Sequence, residues 1–165
     1  MKYIFLTLLG LIAFSPSAKA ELTKTDLQTF NTNYVRVYKT CDFNKISAFL
    51  NANYAPDYVA QIQLPNGQLR KINKPQFLNM TKQGVQTMKQ INGATSNCTP
   101  DMSILDIKTN GNQGTMQIVQ REQMTLPTPQ GEAVQIRMNT TCKHAMKKQN
   151  DKIMVMQSAC LVEQK

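Results

Sequence analysis

The last four predicted elements of the chain are long β-like runs, and they limit the possible folds more than any other feature. In residues 133–148 the side chains alternate between an apolar face and a polar one. The first face consists of Val134, Ile136, Met138, Thr140, Cys142, His144 and Met146, and the second of Gln135, Arg137, Asn139, Thr141 and Lys143. Such alternation indicates an antiparallel sheet that is covered on one side. The other runs are residues 102–109, 115–126 and 152–162, and short segments containing Gly, Pro, Asn or Asp separate the four.

Three helical segments are predicted before these runs. Thr25 and Gln28 have the spacing of a capping box, which predicts the start of the first helix. Its apolar face consists of Leu27, Phe30, Tyr34, Tyr38 and Cys41. Asp42 is predicted to cap the second helix and Asn73 the third, and Gly93 is expected to end the third. The predicted buried face of the third helix consists of Phe77, Met80, Gly84, Val85, Met88 and Ile91.

A β-hairpin is predicted between the second and third helices. Residues 58–64 alternate between apolar and polar side chains, and residues 68–72 form the return strand. Pro65, Asn66 and Gly67 between them are typical turn residues. Pro56 is expected to end the second helix. The predicted fold class is therefore α+β, with three helices packed in a strongly curved antiparallel sheet of about six strands, shaped as a cone or cystatin-like roll.

Residues 1–20 have the features of a secretory signal peptide. Lys2 supplies the positive start, residues 4–14 are mostly apolar, and Ala18 and Ala20 are the small residues that cleavage requires. The apolar run is too short to span a bilayer, so we expect a removed signal and no membrane span. The predicted mature chain, residues 21–165, is a single domain in the periplasm or another secreted compartment.

All four cysteines follow this segment, in a compartment where we expect thiols to oxidise. Four cysteines allow three pairings. Cys142 and Cys160 flank the last predicted hairpin, and a short loop places them opposite each other, so we favour this pair. The favoured second disulfide then joins Cys41 and Cys98.

Charge and residue types narrow the choice of partners and cofactors. Because residues 1–20 contain two lysines and no acidic residue, the net charge of +9 falls to +7 in the predicted mature chain. The positive residues are scattered except at positions 143–152, and they lack the interleaved aromatic residues of single-strand nucleic-acid readers, so we expect no nucleic-acid partner. One histidine and widely spaced cysteines predict no metal site and no cofactor, and the methionines are interpreted as core fillers.

The order of elements resembles the nuclear transport factor two-like superfamily, which includes ketosteroid isomerase and the SnoaL-like cyclases. The most similar stretch runs from Tyr34 to Tyr38, through residues 42–46, to Phe49 and Leu50. The resemblance implies a cone whose open mouth binds a small molecule or a partner. In other members the interior is packed, or the outer face of the sheet forms a homodimer. A shared fold does not imply shared chemistry.

The resemblance also places candidate site residues. Tyr34 matches the catalytic tyrosine of the isomerases, but the position of their catalytic base holds Ile62, or Tyr58 in a shifted alignment. The inward face of residues 133–148 carries Met138, Thr140 and Cys142 and no acidic residue. We therefore reject that reaction and predict no catalytic residue. His144 is interpreted either as a general base in the cavity or, as we favour, as a structural or exposed residue near the sheet rim. The predicted ligand-binding residues are Tyr34, Tyr38, Tyr58 and His144.

These features favour a non-catalytic binding or protein-interaction domain, acting as an envelope-assembly component or an immunity-type protein. The alternative is a carrier, isomerase or cyclase that holds a small apolar molecule in the cone. A deep cavity with a polar group at its base would favour the alternative, whereas a filled cone with an exposed apolar or basic patch would favour a protein partner.

Overall fold

A computed structural model describes residues 20–92, 101–127 and 133–164, which form three helices and six strands. The helices are α1 (Lys24–Tyr38), α2 (Phe43–Asn53) and α3 (Lys74–Asn92). The strands are β1 (Tyr54–Gln63), β2 (Leu69–Asn73), β3 (Asp101–Asn110), β4 (Gln113–Pro127), β5 (Ala133–Gln149) and β6 (Lys152–Gln164). The predicted α+β class and strand number are confirmed. Apart from Ala20, the predicted signal peptide lies outside the described residues, as does Gly93.

The six strands form one sheet in the order β2-β1-β6-β5-β4-β3. Four of the five strand pairs are antiparallel, but β1 and β6 are parallel. The prediction of a wholly antiparallel sheet is therefore wrong at this pair. The alternation of side chains within a strand carries no information about the direction of a neighbour that is distant in the chain.

Side-chain caps start the helices. Asp42 accepts a hydrogen bond from the backbone N–H of Asn44 at 2.9 Å, which confirms the predicted cap of α2. Asn73 and Gln76 exchange side-chain to backbone hydrogen bonds at the start of α3. The capping box of α1 consists of Thr23 and Asp26, so the predicted box of Thr25 and Gln28 is wrong and the helix starts earlier.

The predicted hairpin is confirmed, with a turn at Gly67, whose φ of +80° favours glycine. Its first strand begins earlier than predicted, because β1 includes residues 54–57. The register between β1 and β6 shifts between Tyr54 and Val59. This irregularity accommodates Pro56, which has no N–H to donate to a regular ladder.

One end of the molecule is tightly packed. The side chains of Leu27 and Leu50 are fully buried there. They belong to a core cluster with Ile46, Met116, Met146 and Val155. Leu22, which precedes α1, donates its backbone N–H to the carbonyl of Gly111 at 2.8 Å. A Cβ atom on Gly114 would lie 3.0 Å from Leu22 Cδ2 and 2.8 Å from the Lys108 carbonyl oxygen, so glycine permits this approach.

Helix α3 packs differently. Of its predicted buried face, Val85 is buried, whereas Met80 is 47% exposed and Gly84 is also exposed. The side chain of Ile91 lies outside the described residues. The prediction of a fully buried stripe is wrong, because the stripe borders a cavity instead of packed side chains. None of the described helices is long and apolar enough to cross a membrane.

Candidate binding cavity

A cavity of about 890 Å³ lies between α1, α3 and the concave face of the sheet. Residues of β1, β4, β5 and β6 all line it, which requires the sheet to curve around it. This volume falls within the range of pockets that hold a drug-sized molecule. The cone is therefore hollow at this end.

Aromatic side chains form one wall of the cavity. The ring of Phe77 lies 5.4 Å from the rings of both Tyr54 and Tyr58, measured between centroids. Across from them on α1, the rings of Tyr34 and Tyr38 stack with their centroids 4.4 Å apart. These rings offer a large and mostly apolar contact surface with hydroxyl groups at its edge.

A buried hydrogen-bond network lies at the base of the cavity. Tyr58 donates its hydroxyl to Ser158 Oγ at 2.8 Å, and Ser158 Oγ lies 2.7 Å from His144 Nδ1. The strand register produces this arrangement, since His144 and Ser158 are cross-strand partners and Ser158 is also paired with Ala60 on β1. Three strands thus bring together residues that are distant in the sequence.

The network is uncharged at neutral pH. Burial lowers the pKa of His144 to about 4, so its imidazole is neutral. The residue as a whole is partly buried, and it lines the cavity. Burial raises the pKa of Tyr58 to about 12, although its hydrogen bond to Ser158 acts in the opposite direction.

A second group of hydroxyls lies between α1 and α3. Burial raises the pKa of Tyr34 well above its usual value, and the neighbouring Tyr38 raises it further. Burial also raises the pKa of Tyr38, while hydrogen bonds with Tyr34 and Thr81 lower it. These tyrosines are therefore neutral hydrogen-bonding groups.

Among the described residues, the charged side chains that line the cavity lie where it borders β3 and the adjoining parts of β4 and β5. Arg121 forms an exposed ion pair with Asp101, with 3.8 Å between Nη1 and Oδ1. Glu122 accepts a hydrogen bond from the side chain of Gln120. Within the described residues, no carboxylate contacts His144 and no group of three or more metal-ligating side chains converges.

The predicted disulfide between Cys142 and Cys160 is confirmed, and its two residues are cross-strand partners on β5 and β6. Both cysteines line the cavity, so the disulfide ties the two strands that carry His144 and Ser158. Cys41 is also disulfide-bonded. Its predicted partner, Cys98, lies outside the described residues.

The structure places Tyr34, Tyr38, Tyr58 and His144 around this one cavity. Their role in binding a ligand stays a prediction. The favoured position of His144 near the sheet rim is wrong, because its ring reaches Ser158 in the interior. Ile62, Thr140 and Cys142 also line the cavity, and none of them is acidic.

Several site residues escaped the sequence analysis: Tyr54, Phe77, Thr81 and Ser158. Ser158 could have been found, because a strand that turns Cys160 inward also turns the residue two positions earlier inward. Tyr54 was hidden because Pro56 suggested that the region around it was irregular. The hydroxyl network itself depends on register between distant strands, which has no local signature.

The fold is shared with solved structures, whereas no protein-family model and no curated protein matches the sequence. An NTF-2 like protein of unknown function from Silicibacter pomeroyi is 11% identical and has a TM-score of 0.55, and the match covers 86% of this chain and all of that one. An NTF-2 like protein from Shewanella oneidensis is 12% identical, with a TM-score of 0.52 over 83% of this chain and 97% of that one. The chain thus has the cone-like nuclear transport factor two-like fold. Identities this low show the fold alone.

Proposed function

We propose that this protein is a non-catalytic binding protein whose cavity holds one small, largely apolar and uncharged molecule. The observation that carries the proposal is the hollow end of the cone, a cavity of about 890 Å³ with the Tyr58–Ser158–His144 network at its base. A pocket with apolar walls and a few converging polar groups is typical of small-molecule sites. This favours the small-ligand form of the binding hypothesis.

The protonation states of the cavity favour an uncharged ligand. Tyr34, Tyr38, Tyr54 and Tyr58 have raised pKa values and His144 has a lowered one, so all five are neutral near pH 7. A charged group moved next to them would lose its hydration without gaining a counter-ion. The described charges of the cavity lie far from this base, near β3.

The same residues support a non-catalytic role. Ser158 is only 4% exposed and does not line the cavity, so it is poorly placed to act as a nucleophile. A histidine with a pKa of about 4 is a weak base at neutral pH, and no described carboxylate orients it. Positioning and polarity are what these groups supply.

A secreted location, in the periplasm or outside the cell, is part of the proposal. The signal-like residues 1–20 suggest it, and the Cys142–Cys160 disulfide is compatible with an oxidising compartment. Cell fractionation of a tagged full-length chain tests it, since cleavage near Ala20 gives a shorter periplasmic product. A protein partner and a homodimer through the outer sheet face stay predictions.

Binding of N-phenyl-1-naphthylamine, an uncharged and apolar fluorophore, tests the proposed function. We expect saturable binding with one molecule per chain, and weaker binding of the sulfonated analogue 1-anilinonaphthalene-8-sulfonate. No saturable binding of the uncharged probe, or tighter binding of the anionic one, would contradict the proposal.

Gly84 offers a matched pair of variants for this experiment. It lies on the cavity side of α3, and a Cβ atom there would meet nothing within 4 Å. Gly84→Phe should fill the cavity and weaken binding about tenfold or more, a loss of roughly 1.4 kcal/mol. Gly84→Ala should leave binding unchanged and stabilise α3 by up to about 1 kcal/mol. Equal binding by both variants would place the probe elsewhere on the protein.

A further inference from the structure

We infer that the bound molecule carries a hydrogen-bond acceptor, such as a ketone, ester or amide carbonyl oxygen, which accepts the Nε2–H of His144. This inference rests on the proposed function and names the chemical class of its ligand. It follows from the hydrogen bonds that Tyr58, Ser158 and His144 form with one another.

The hydroxyl of Ser158 fixes the first step. Tyr58 donates its own proton to Ser158 Oγ, and Ser158 is buried. The proton of Ser158 then needs an acceptor, and His144 Nδ1 at 2.7 Å is the one that the described residues provide. With Tyr58 donating to Ser158, an Nδ1–H would make Ser158 accept two hydrogen bonds and would leave its own buried proton without an acceptor among the described residues, which is costly.

The neutral ring therefore carries its single proton on Nε2. Within the described part of the chain no side chain or backbone group accepts a hydrogen bond from this atom, and it is not among the closed-off buried polar atoms. Since His144 lines the cavity and its Nδ1 is bonded to Ser158, we assign Nε2–H as the donor available to the occupant. Tyr58 thus donates to Ser158 and Ser158 donates to His144, which leaves Nε2–H as the last donor of this hydrogen-bond series for the ligand.

The aromatic walls of the cavity indicate that the rest of the ligand is apolar. Tyr54, Tyr58 and Phe77 surround the base with aromatic carbon, and their rings lie 4.8 to 5.4 Å apart. An apolar body fits this wall, and one acceptor on it satisfies His144. A molecule without an acceptor would leave Nε2–H buried and unpaired, and sites built around such a donor discriminate against analogues that lack the matching group.

Benzophenone and diphenylmethane are suitable probes, because they have the same two rings and differ in the carbonyl oxygen. Their affinities are measured by displacement of N-phenyl-1-naphthylamine from the full mature chain and from the His144→Phe variant. The ratio of the two affinities should favour benzophenone about tenfold more in the native protein than in the variant. Comparing ratios removes the different hydrophobicity of the two probes.

The conservative variant His144→Gln guards against a general disturbance of the fold. Its amide retains a donor, so part of the preference for benzophenone should return.

Isotope-edited infrared spectra of ¹³C-carbonyl benzophenone should show a lower carbonyl stretching frequency in the native protein than in His144→Phe. Because the chain has one histidine, ¹⁵N NMR reports its tautomer without ambiguity, and we expect Nε2–H.

Equal affinity ratios in the native protein and His144→Phe would overturn the inference, as would an Nδ1–H tautomer. In both cases displacement of the fluorophore by the two probes would leave the proposed function standing. If neither probe and no fluorophore binds, the proposed function fails and this inference fails with it.

Discussion

The two ends of the cone are built from the same elements but packed in opposite ways. Along the inner face of α1, Leu27 and Phe30 are buried in the core, whereas Tyr34 and Tyr38, one and two turns later, line the cavity. On β5, Met146 is buried and His144 lines the cavity. At one level of the fold, apolar side chains thus give way to side chains that carry hydroxyl or imidazole groups.

This boundary divides the fold into a filled end that we expect to determine stability and a hollow end that we expect to determine binding. The filled end consists of closely packed aliphatic groups and methionine, so each side chain there contributes dispersion and burial. The hollow end leaves contacts unmade: Tyr58, Ser158 and His144 Nδ1 hydrogen-bond one another, while His144 Nε2–H has no acceptor among the described residues. We expect substitutions at the filled end to change stability, and substitutions at the hollow end to change binding.

Two leucine-to-alanine variants give the sharpest test of this contrast and the largest expected effect. Leu27 is fully buried in the filled end, so Leu27→Ala should lower the free energy of unfolding by about 4 kcal/mol. Leu64 lies at the edge of the cavity and is partly exposed, so Leu64→Ala should cost about 1 kcal/mol or less. Urea denaturation measures both. Equal losses would mean that the two ends are packed alike.

Removing the Cys142–Cys160 disulfide should have the next largest effect. The two residues are 18 positions apart, and opening a loop of this size costs about 3 kcal/mol through the greater freedom of the unfolded chain. The disulfide joins strands at the hollow end, where few packed side chains hold them. Calorimetry of Cys142→Ser/Cys160→Ser should show a melting temperature several degrees lower. A variant that melts like the native protein would show that packing alone holds this end.

The pH dependence of stability should report His144. Its pKa is about 4 in the folded chain and about 6.5 when unfolded, so the unfolded chain takes up the proton first as the pH falls. Stability is therefore complete above pH 6.5 and should be about 2 kcal/mol lower at pH 5 than at pH 7. Urea titrations at the two pH values measure the difference.

His144→Gln serves as the control for this pH effect, because the chain contains no other histidine. The difference between pH 7 and pH 5 should largely disappear in the variant. If it persists, another group must take up the proton. If the native protein shows no difference, His144 is not desolvated, and the hollow end is wetter than its aromatic walls suggest.

Much of the filled end could be predicted from the sequence. The spacing of Leu27 and Phe30 identified the buried face of α1, and Asp42 identified the start of α2. Alternation identified β5, and the position of Cys142 and Cys160 on either side of the last hairpin identified the disulfide of the hollow end. These features are local, or depend on one hairpin. The Thr23 cap was missed because Thr25 and Gln28 offer the same spacing two residues later.

The hollow end could be predicted only in part. Periodicity shows which residues face inward but not whether anything fills the space opposite them, so it predicts a packed core where the stripe of α3 borders a cavity. Tyr58, Ser158 and His144 lie on three strands, and their contact depends on the parallel pairing of β1 with β6. That pairing joins residues a hundred positions apart, beyond the reach of any local pattern.

The smallest expected effect concerns an ion pair that anchors the filled end. Lys148 Nζ lies 3.0 Å from Asp26 Oδ2, which ties the end of β5 to the first turn of α1. The two side chains are 16% and 29% exposed, so this pair is better protected from solvent than the others described. Lys148→Met should lower the free energy of unfolding by about 1 kcal/mol. Lys143→Met, on an exposed lysine without an ion pair among the described residues, is the matched control and should change little.

The pKa of Asp26 shows whether Lys148 stabilises this carboxylate through an ion pair or is only a nearby surface charge. The backbone hydrogen bond from Thr23 lowers this pKa most, and Lys148 lowers it further. In Lys148→Met the pKa should rise but stay below its usual value, because Thr23 still donates its N–H. This pair stabilises the fold above the unfolded pKa of the Asp26 carboxyl. Its contribution is lost as the pH falls through the lower folded pKa, which lies below the range in which His144 acts. A ¹³C titration of the carboxyl measures the shift. An unchanged pKa of Asp26 in Lys148→Met would show that Lys148 does not stabilise the Asp26 carboxylate. The start of α1 would then be held by its cap and by the packing of Leu22 and Leu27, without this ion pair.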